Sequence, residues 1–162
     1  MANNYTDHPE LRFELNHPLM KRIVELKERN FRDKETYDYA PLDFEDTMDS
    51  YDRVLDIVGD IAGTTIADNA EGVDLEGPHH EGDRVRYASG TEKNMEAMVK
   101  AGMNGMTMPR RFGGLNFAIT PYTMCAELVA ASDPGFSNIW SLQDCIETLY
   151  EFGNEDQHSR FI

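Results

Sequence analysis

Residues 102–116 read GMNGMTMPRRFGGLN, and this stretch interrupts a chain whose other patterns are mostly helical. Gly102 suits the end of a helix, because glycine enters the left-handed region freely. Pro109 then fixes a turn, and the glycine pair that begins at Gly113 lets the chain reverse. Asn116 is, after glycine, among the residues best able to adopt the left-handed conformation. The spacing matches neither common phosphate-binding glycine pattern, so the stretch is predicted to connect two helices.

Helices are predicted on both sides of this stretch. The helix that ends at it is predicted to begin at the capping residue Thr91, with Met95, Met98 and Val99 facing inward. After it, Thr120 precedes Pro121 and Asp133 precedes Pro134. Threonine and aspartate oxygens cap free N–H groups, and proline fits the first helical position. The predicted apolar faces contain Met124, Cys125, Leu128 and Val129 in the first of these two helices and Ile139, Leu142, Cys145, Ile146, Leu149 and Tyr150 in the second.

A longer amphipathic helix is predicted upstream, from Pro41 to about Ile66. Its apolar residues recur at spacings of three and four, the period of a helix with one buried face. They are Phe44, Met48, Tyr51, Leu55, Val58, Ala62 and Ile66, with Val54 and Ile61 widening the stripe. Acidic residues crowd the first turns between Asp43 and Asp52, where the helix dipole favours negative charge, so this role is preferred over metal binding.

The N-terminal part of the chain has weaker patterns. Residues 1–15 are predicted to be an arm, and Asn16 is predicted to cap a helix that runs to about Asn30. The apolar residues of that helix are Leu19, Met20, Ile23 and Leu26. Residues 31–40 are predicted to be a connection.

Glycines punctuate residues 69–90, which are therefore predicted to be a loop. Within it, residues 84–87 could form a short strand that pairs with residues 72–74. His79 and His80 are predicted to be an exposed pair, because no further ligand stands at a suitable spacing for a metal ion.

These patterns predict an all-α protein, a bundle of about five or six helices. Residues 1–40 are assigned to an N-terminal extension with one helix, and residues 41–162 to a helical domain. Asn154 followed by Gln157 is typical of a capping box, yet the chain stops shortly afterwards at Ile162. We therefore expect the natural polypeptide to continue and this domain to be incomplete at its C-terminal end.

The composition argues against several classes of partner. The 162 residues include 30 acidic and 15 basic side chains, and the net charge of −15 disfavours nucleic acid and anionic membrane surfaces. No apolar run approaches the roughly 20 residues of a membrane span. Cys125 and Cys145 lie among apolar residues, so both are predicted to be buried thiols in a reducing compartment. A cytoplasmic protein is expected.

The order of these motifs resembles the N-terminal helical domain of acyl-CoA dehydrogenases. The resemblance covers about Phe44 to Ile162 and is most specific from Gly102 onward, through Ala-Glu-Leu, Asp-Pro-Gly-Phe and Phe-Gly-Asn-Glu-Asp-Gln-His-Ser-Arg-Phe. The first 40 residues look like the extension of the larger, long-chain-type members. Three departures from the family pattern are Arg110-Arg111 in place of acids, Asn116 in place of glycine, and Leu142-Gln143-Asp144 in place of small residues or a histidine.

The resemblance implies a flavoprotein of fatty acid metabolism that uses FAD to desaturate an acyl-CoA thioester between Cα and Cβ. In the family, a carboxylate takes the α-proton while the β-hydrogen leaves as hydride to the flavin N5. A β domain and a second helical domain supply most FAD contacts and the catalytic base, so no catalytic, FAD-binding or metal-binding residue is predicted here. Glu127, Glu147 and Glu151 are explained more simply by helix caps and exposed faces. The resemblance also implies an electron-transfer partner and a homo-oligomer.

A substrate-binding role is implied for one helix of this domain, which in the family forms part of the wall around the acyl chain. The matching positions are Phe136, Ser137, Trp140, Ser141 and Asp144. Phe136 and Trp140 are four residues apart, so both point to one face of their helix. The alternative for both rings is an ordinary place in the hydrophobic core.

Two other functions stay open from the sequence. A free-standing acidic helical interaction module would require Ile162 to be the true terminus. An acyl-CoA oxidase or a related flavin monooxygenase would have the same fold, because the choice of electron acceptor depends on flavin access built outside this segment.

Overall fold

The computed structural model describes residues 2–162 as a bundle of α-helices with one short β-hairpin. The helices are α1 (Pro9–Leu15), α2 (Met20–Lys27), α3 (Phe44–Ile61), α4 (Ala67–Glu76), α5 (Ser89–Lys100), α6 (Ile119–Ser132), α7 (Pro134–Trp140), α8 (Asp144–Phe152) and α9 (Glu155–Phe161). The strands are β1 (His79–Glu81) and β2 (Arg84–Arg86). A π-helical segment joins α3 to α4, and a 3-10 turn joins α7 to α8. The predicted all-α class is confirmed.

The hydrophobic core is one cluster centred on α6, against which both α3 and α7 pack. Tyr51, Leu55 and Val58 line the buried face of α3 at the spacing of three and four that the sequence predicted. Leu128 and Val129 of α6 belong to the same cluster. The amphipathic stripe therefore places α3 against α6, which in turn supports the candidate site helix α7.

The helix that begins with α3 is longer than predicted. It starts at Phe44, where the Asp43 side chain accepts a hydrogen bond from the Asp46 N–H. It continues through the π-helical segment into α4 and ends at Glu76, so the prediction of a loop at residues 69–76 was wrong. No residue of α4 is buried. Burial of an apolar face therefore does not explain why α4 is helical. α4 extends a helix that is already nucleated.

The N-terminal extension packs on the core from residue 2 onward and is not an arm, contrary to the prediction for residues 1–15, of which Met1 lies outside the described residues. The Tyr5 ring is 1% exposed, and its hydroxyl donates a 2.6 Å hydrogen bond to the Asp52 carboxylate. This segment crosses α3 at Gly59, where an added Cβ atom would lie 2.7 Å from the Tyr5 Cβ. The extension contains two helices, α1 and α2, rather than one. The division of the chain at residues 40 and 41 stays a prediction.

The prediction for α2 was wrong in its cap and in part of its buried face. The Asn16 side chain donates to a carbonyl of α1 instead, and α2 starts at Met20. Met20 and Val24 are buried. Leu19 and Leu26, which were predicted to face inward, are more than half exposed. A helix of eight residues is too short for its apolar pattern to define which face is buried.

The hairpin also differs from the prediction in its partner strand. β2 pairs antiparallel with β1, and not with residues 72–74, because those residues belong to α4. His79 and His80 lie on β1 and are exposed, as predicted. α5 begins at Ser89, so Thr91 lies in its first turn rather than at its cap.

The two cysteines have different environments. Cys125 is buried in α6, and burial raises the pKa of its thiol well above its usual range. Cys145 was predicted to be buried but is exposed on α8. Leu142 and Phe152 beside it are also mostly exposed, because no described element covers this apolar side of the helix.

Candidate functional site

Helix α7 is fixed at its start by the two residues that the sequence predicted. The Asp133 side chain accepts a 2.9 Å hydrogen bond from the Phe136 N–H, and Pro134 occupies the first position. An aspartate cap of this kind stabilises a helix by about 1 kcal/mol. The cap therefore sets the direction in which the following side chains leave α7.

The two aromatic residues of the predicted site, Phe136 and Trp140, point into the core and are 1% and 2% exposed. The Trp140 indole N–H donates a 3.2 Å hydrogen bond to the Met103 carbonyl, so its polar atom is satisfied inside the protein. Its ring centre lies 5.8 Å from that of Tyr122 on α6. Trp140 thus packs between α6 and the glycine-rich loop, and it holds this loop against the end of α7.

The other three predicted site residues become more exposed from α7, through the 3-10 turn that follows it, to α8. Ser137 is buried, and its hydroxyl donates to the Ala126 carbonyl over 3.5 Å. Ser141 is half-buried and donates to the carbonyl of Asn138. Asp144 is exposed at the start of α8. The structure therefore places the five residues along α7, the 3-10 turn and the start of α8. The two rings and Ser137 are buried in the protein, and the other two side chains lie closer to solvent.

An apolar cavity of about 180 Å³ lies where α7 meets α4 and α5. Its walls include Phe136 and Ile139 of α7, Val73 of α4 and Tyr87, which follows β2. A larger apolar groove of about 540 Å³ runs along α5 and shares Tyr87 and Ile139 with the cavity. A hydrocarbon chain placed in these spaces would leave water, which is worth about 0.8 kcal/mol per buried methylene.

Met95, Val99 and Tyr87 line this groove, but none of them was predicted to belong to a site. The sequence predicted that Met95 and Val99 face the core. Their spacing of four does indicate one shared face of α5. Whether a neighbouring helix covers that face or leaves it open depends on tertiary packing, and the spacing of residues in the sequence does not predict that packing.

Gln143 connects the glycine-rich loop to the end of α7. Its side-chain oxygen accepts hydrogen bonds from the N–H groups of Gly105 and Met106, at 2.9 and 3.4 Å. Its side-chain amide donates to the Trp140 carbonyl. The glutamine therefore satisfies loop N–H groups that would otherwise be free, and it fixes the loop beside the tryptophan.

The backbone of the glycine-rich loop does not fit the diphosphate of FAD. The predicted left-handed conformations are confirmed, with φ of +75° at Gly102 and +58° at Asn116. The Asn116 N–H donates to the Met108 carbonyl, and an added Cβ at Gly114 would clash with the same carbonyl oxygen. A diphosphate is cradled by free N–H groups. In this loop the space is filled by the chain's own backbone, and the N–H groups at residues 105 and 106 are occupied by Gln143.

Tyr122 is a buried ionisable residue beside the Trp140 ring. Burial raises the pKa of Tyr122, and the Asp144 carboxylate raises it further, so this phenol stays neutral at physiological pH. Glu127 and Glu151 are exposed.

Within residues 2–162, no group of three or more histidine, cysteine, aspartate or glutamate side chains could hold a metal ion. No helix in the same residues is long and apolar enough to cross a membrane.

These features define an all-α domain in which a glycine-rich loop packs against a proline-initiated, aspartate-capped helix. Residues 50–162 match the family model for the acyl-CoA dehydrogenase N-terminal domain. The match covers more than half of the chain, so the chain belongs to this family. No curated protein matches the chain.

Proposed function

We propose that this chain is the N-terminal domain of an FAD-dependent acyl-CoA dehydrogenase that desaturates acyl-CoA thioesters between Cα and Cβ. The observation that carries this proposal is the family match over residues 50–162. FAD supplies the acceptor for the hydride when it is bound. The glycine-rich loop does not fit its diphosphate, and the family resemblance implies that other domains supply most FAD contacts and the catalytic base, so we assign both to residues outside this chain. A cytoplasmic location, an electron-transfer partner and a homo-oligomer belong to the same proposal.

The role we propose for this domain is to form part of the wall around the acyl chain. Phe136 supports this role, because it lines the apolar cavity between α4, α5 and α7. Trp140 would support the wall without lining it, since its ring is buried and its indole N–H holds the glycine-rich loop in place. Ser137, Ser141 and Asp144 are the other three residues that we propose for the substrate site, on α7, the 3-10 turn and the start of α8. An apolar wall discriminates between chains that differ by one methylene by about 1–3 kcal/mol.

The wall is tested by measuring kcat/KM over a series of acyl-CoA chain lengths for Phe136→Ala and Trp140→Ala, with a thermal melt of each variant. Removal of either ring should change the order of preferred chain lengths towards longer substrates. Phe13→Ala is the control, because this phenylalanine is exposed on α1. An unchanged substrate order combined with a large loss of stability would assign both rings to the core alone and remove them from the wall.

A further inference from the structure

A polar cavity of about 310 Å³ lies on a different part of the molecule, between the end of α2, the turn that follows it and the glycine-rich loop. We call it the arginine cavity. Five basic side chains line it together with Asp33, and they are Lys27, Arg29, Arg32, Arg110 and Arg111. These five are one third of the 15 basic residues in a chain of net charge −15. The local excess of positive charge therefore opposes the charge of the whole chain.

Two of the five cations are already engaged. Arg110 is paired with the buried Glu28 carboxylate, and its Nε is buried without a hydrogen-bond partner among residues 2–162. Lys27 donates a 3.0 Å hydrogen bond to the Thr107 carbonyl. Glu147 and Glu151 of α8 act electrostatically on Lys27, but they are not among the residues that line the cavity. The engaged cations thus form the wall, and three arginines are left to meet a ligand.

The three remaining arginines keep most of their hydrogen-bonding capacity. Arg32 approaches Asp33 only at 4.0 Å, and the described chain places no carboxylate within that distance of Arg29 or Arg111. The Arg111 guanidinium lies over the rings of Phe112 and Tyr150, at 4.6 and 5.5 Å from their centres. Stacking of this kind holds a guanidinium in place and leaves its N–H edges free to donate.

The backbone that carries Arg29 is strained. Arg29, Asn30 and Phe31 have φ angles of 50°, 56° and 58°, three left-handed residues in succession without a glycine. Such conformations are disfavoured for residues with a Cβ atom and concentrate where a protein binds or reacts. Here they reverse the chain between α2 and the 3-10 turn Arg32–Glu35, which brings Arg29 and Arg32 to the same cavity.

We propose that the arginine cavity binds a small phosphorylated molecule, with the phosphate held by Arg29, Arg32 and Arg111. Guanidinium groups pair with phosphate oxygens in a bidentate manner, and several of them converge here. The cavity is concave and small, while the net charge of −15 on the chain repels a long polyanion, so a nucleic acid does not fit. Tyr37 and Tyr150 also line the cavity, so a base beside the phosphate would meet aromatic side chains. The site does not depend on the proposed acyl-CoA dehydrogenase activity.

Isothermal titration of the purified protein with inorganic pyrophosphate and with ADP, at low salt, tests the proposal. Adenosine is the uncharged comparison. The variant Arg29→Gln/Arg111→Gln should weaken binding of both phosphates by tenfold or more, because it removes charge-assisted hydrogen bonds. Arg22→Gln is the control, since Arg22 lies on α2, is exposed and does not line the cavity. Thermal melts should show all variants folded, because the substituted side chains are exposed.

Tighter binding of ADP than of pyrophosphate would support a nucleotide stacked on the tyrosines, and equal binding would support a site for phosphate alone. The proposal would be overturned if neither phosphate bound at millimolar concentration. It would also be overturned if Arg22→Gln weakened binding as much as the double variant, since the effect would then be diffuse attraction. Tighter binding of a glutamate-rich peptide than of pyrophosphate would assign the cavity to a protein partner and overturn it as well.

Discussion

The Glu28 carboxylate and the Arg110 guanidinium form a bidentate ion pair, although 82 residues separate them in the sequence. The two contacts measure 2.7 and 2.9 Å, and each side chain is 2% exposed. The Asn116 side chain donates a further bond of 3.3 Å to the same carboxylate. Arg110 and Asn116 are two of the positions at which the sequence was predicted to depart from the usual family pattern. Both departures therefore meet one buried carboxylate of the N-terminal extension.

Glu28→Gln should lower the free energy of unfolding by about 3 kcal/mol, because it removes the bidentate partner of a buried charge. Arg110 then keeps only the partly exposed Asp33 carboxylate, at 3.3 Å, as an ionic partner. Urea unfolding measures this loss. Asp49→Asn is the control, since it breaks the exposed pair with Arg53, and it should cost less than about 1 kcal/mol. Similar losses in the two variants would contradict the importance of the buried pair.

Tyr5 should make stability fall as the pH rises above 10. Burial, followed by the hydrogen bond to Asp52, raises the pKa of Tyr5 from 10.0 to about 12. The folded protein therefore holds this proton more tightly than the unfolded chain. The contribution is complete below the unfolded pKa of 10.0 and is lost as the pH rises through about 12.

Urea midpoints measured across this alkaline range should fall less steeply for Tyr5→Phe than for the parent protein. Part of the slope should remain, because burial also raises the pKa of Tyr51 to about 12. Identical slopes for the parent and the variant would show that Tyr5 is not held as a buried phenol.

Gly114 and Gly72 should respond in opposite directions to alanine. An added Cβ at Gly114 would clash with the Met108 carbonyl oxygen, a backbone atom, whereas nothing lies within 4 Å of the same atom at Gly72. Gly72→Ala, inside α4, should therefore stabilise the protein by about 0.4–1 kcal/mol. Thermal melts should show a higher Tm for Gly72→Ala and a clearly lower one for Gly114→Ala. An unchanged Tm in Gly114→Ala would contradict the close packing of the loop.

Two helix starts with a short-range cap were predictable from the sequence, whereas the caps predicted at Asn16, Thr91 and Thr120 were wrong. The Asp133 cap of α7 and the capping box of Asn154 and Gln157 in α9 both have the predicted hydrogen bonds. Caps join residues only three positions apart, so the sequence contains the whole interaction. The apolar stripe of α3 was equally predictable, because it repeats over many turns.

Features that depend on distant residues were not predictable. Tyr5 is buried because Gly59 allows close approach, and the N-terminal segment alone carries no sign of that contact. α4 continues a helix without an apolar face of its own. The candidate site shows the same division, because the position of Trp140 on α7 follows from local spacing while its bond to Met103 depends on the fold of the loop.

The visible absorption spectrum of the protein purified from its complete gene, recorded without oxygen before and after acyl-CoA is added, tests the proposed function most directly. A flavin spectrum that loses intensity with a saturated acyl-CoA, and not with free CoA, is the expected result, because oxidation of the Cα–Cβ bond delivers two electrons to the bound flavin. A protein without flavin absorption, or a flavin spectrum that no acyl-CoA chain length changes, would contradict the proposed acyl-CoA dehydrogenase activity.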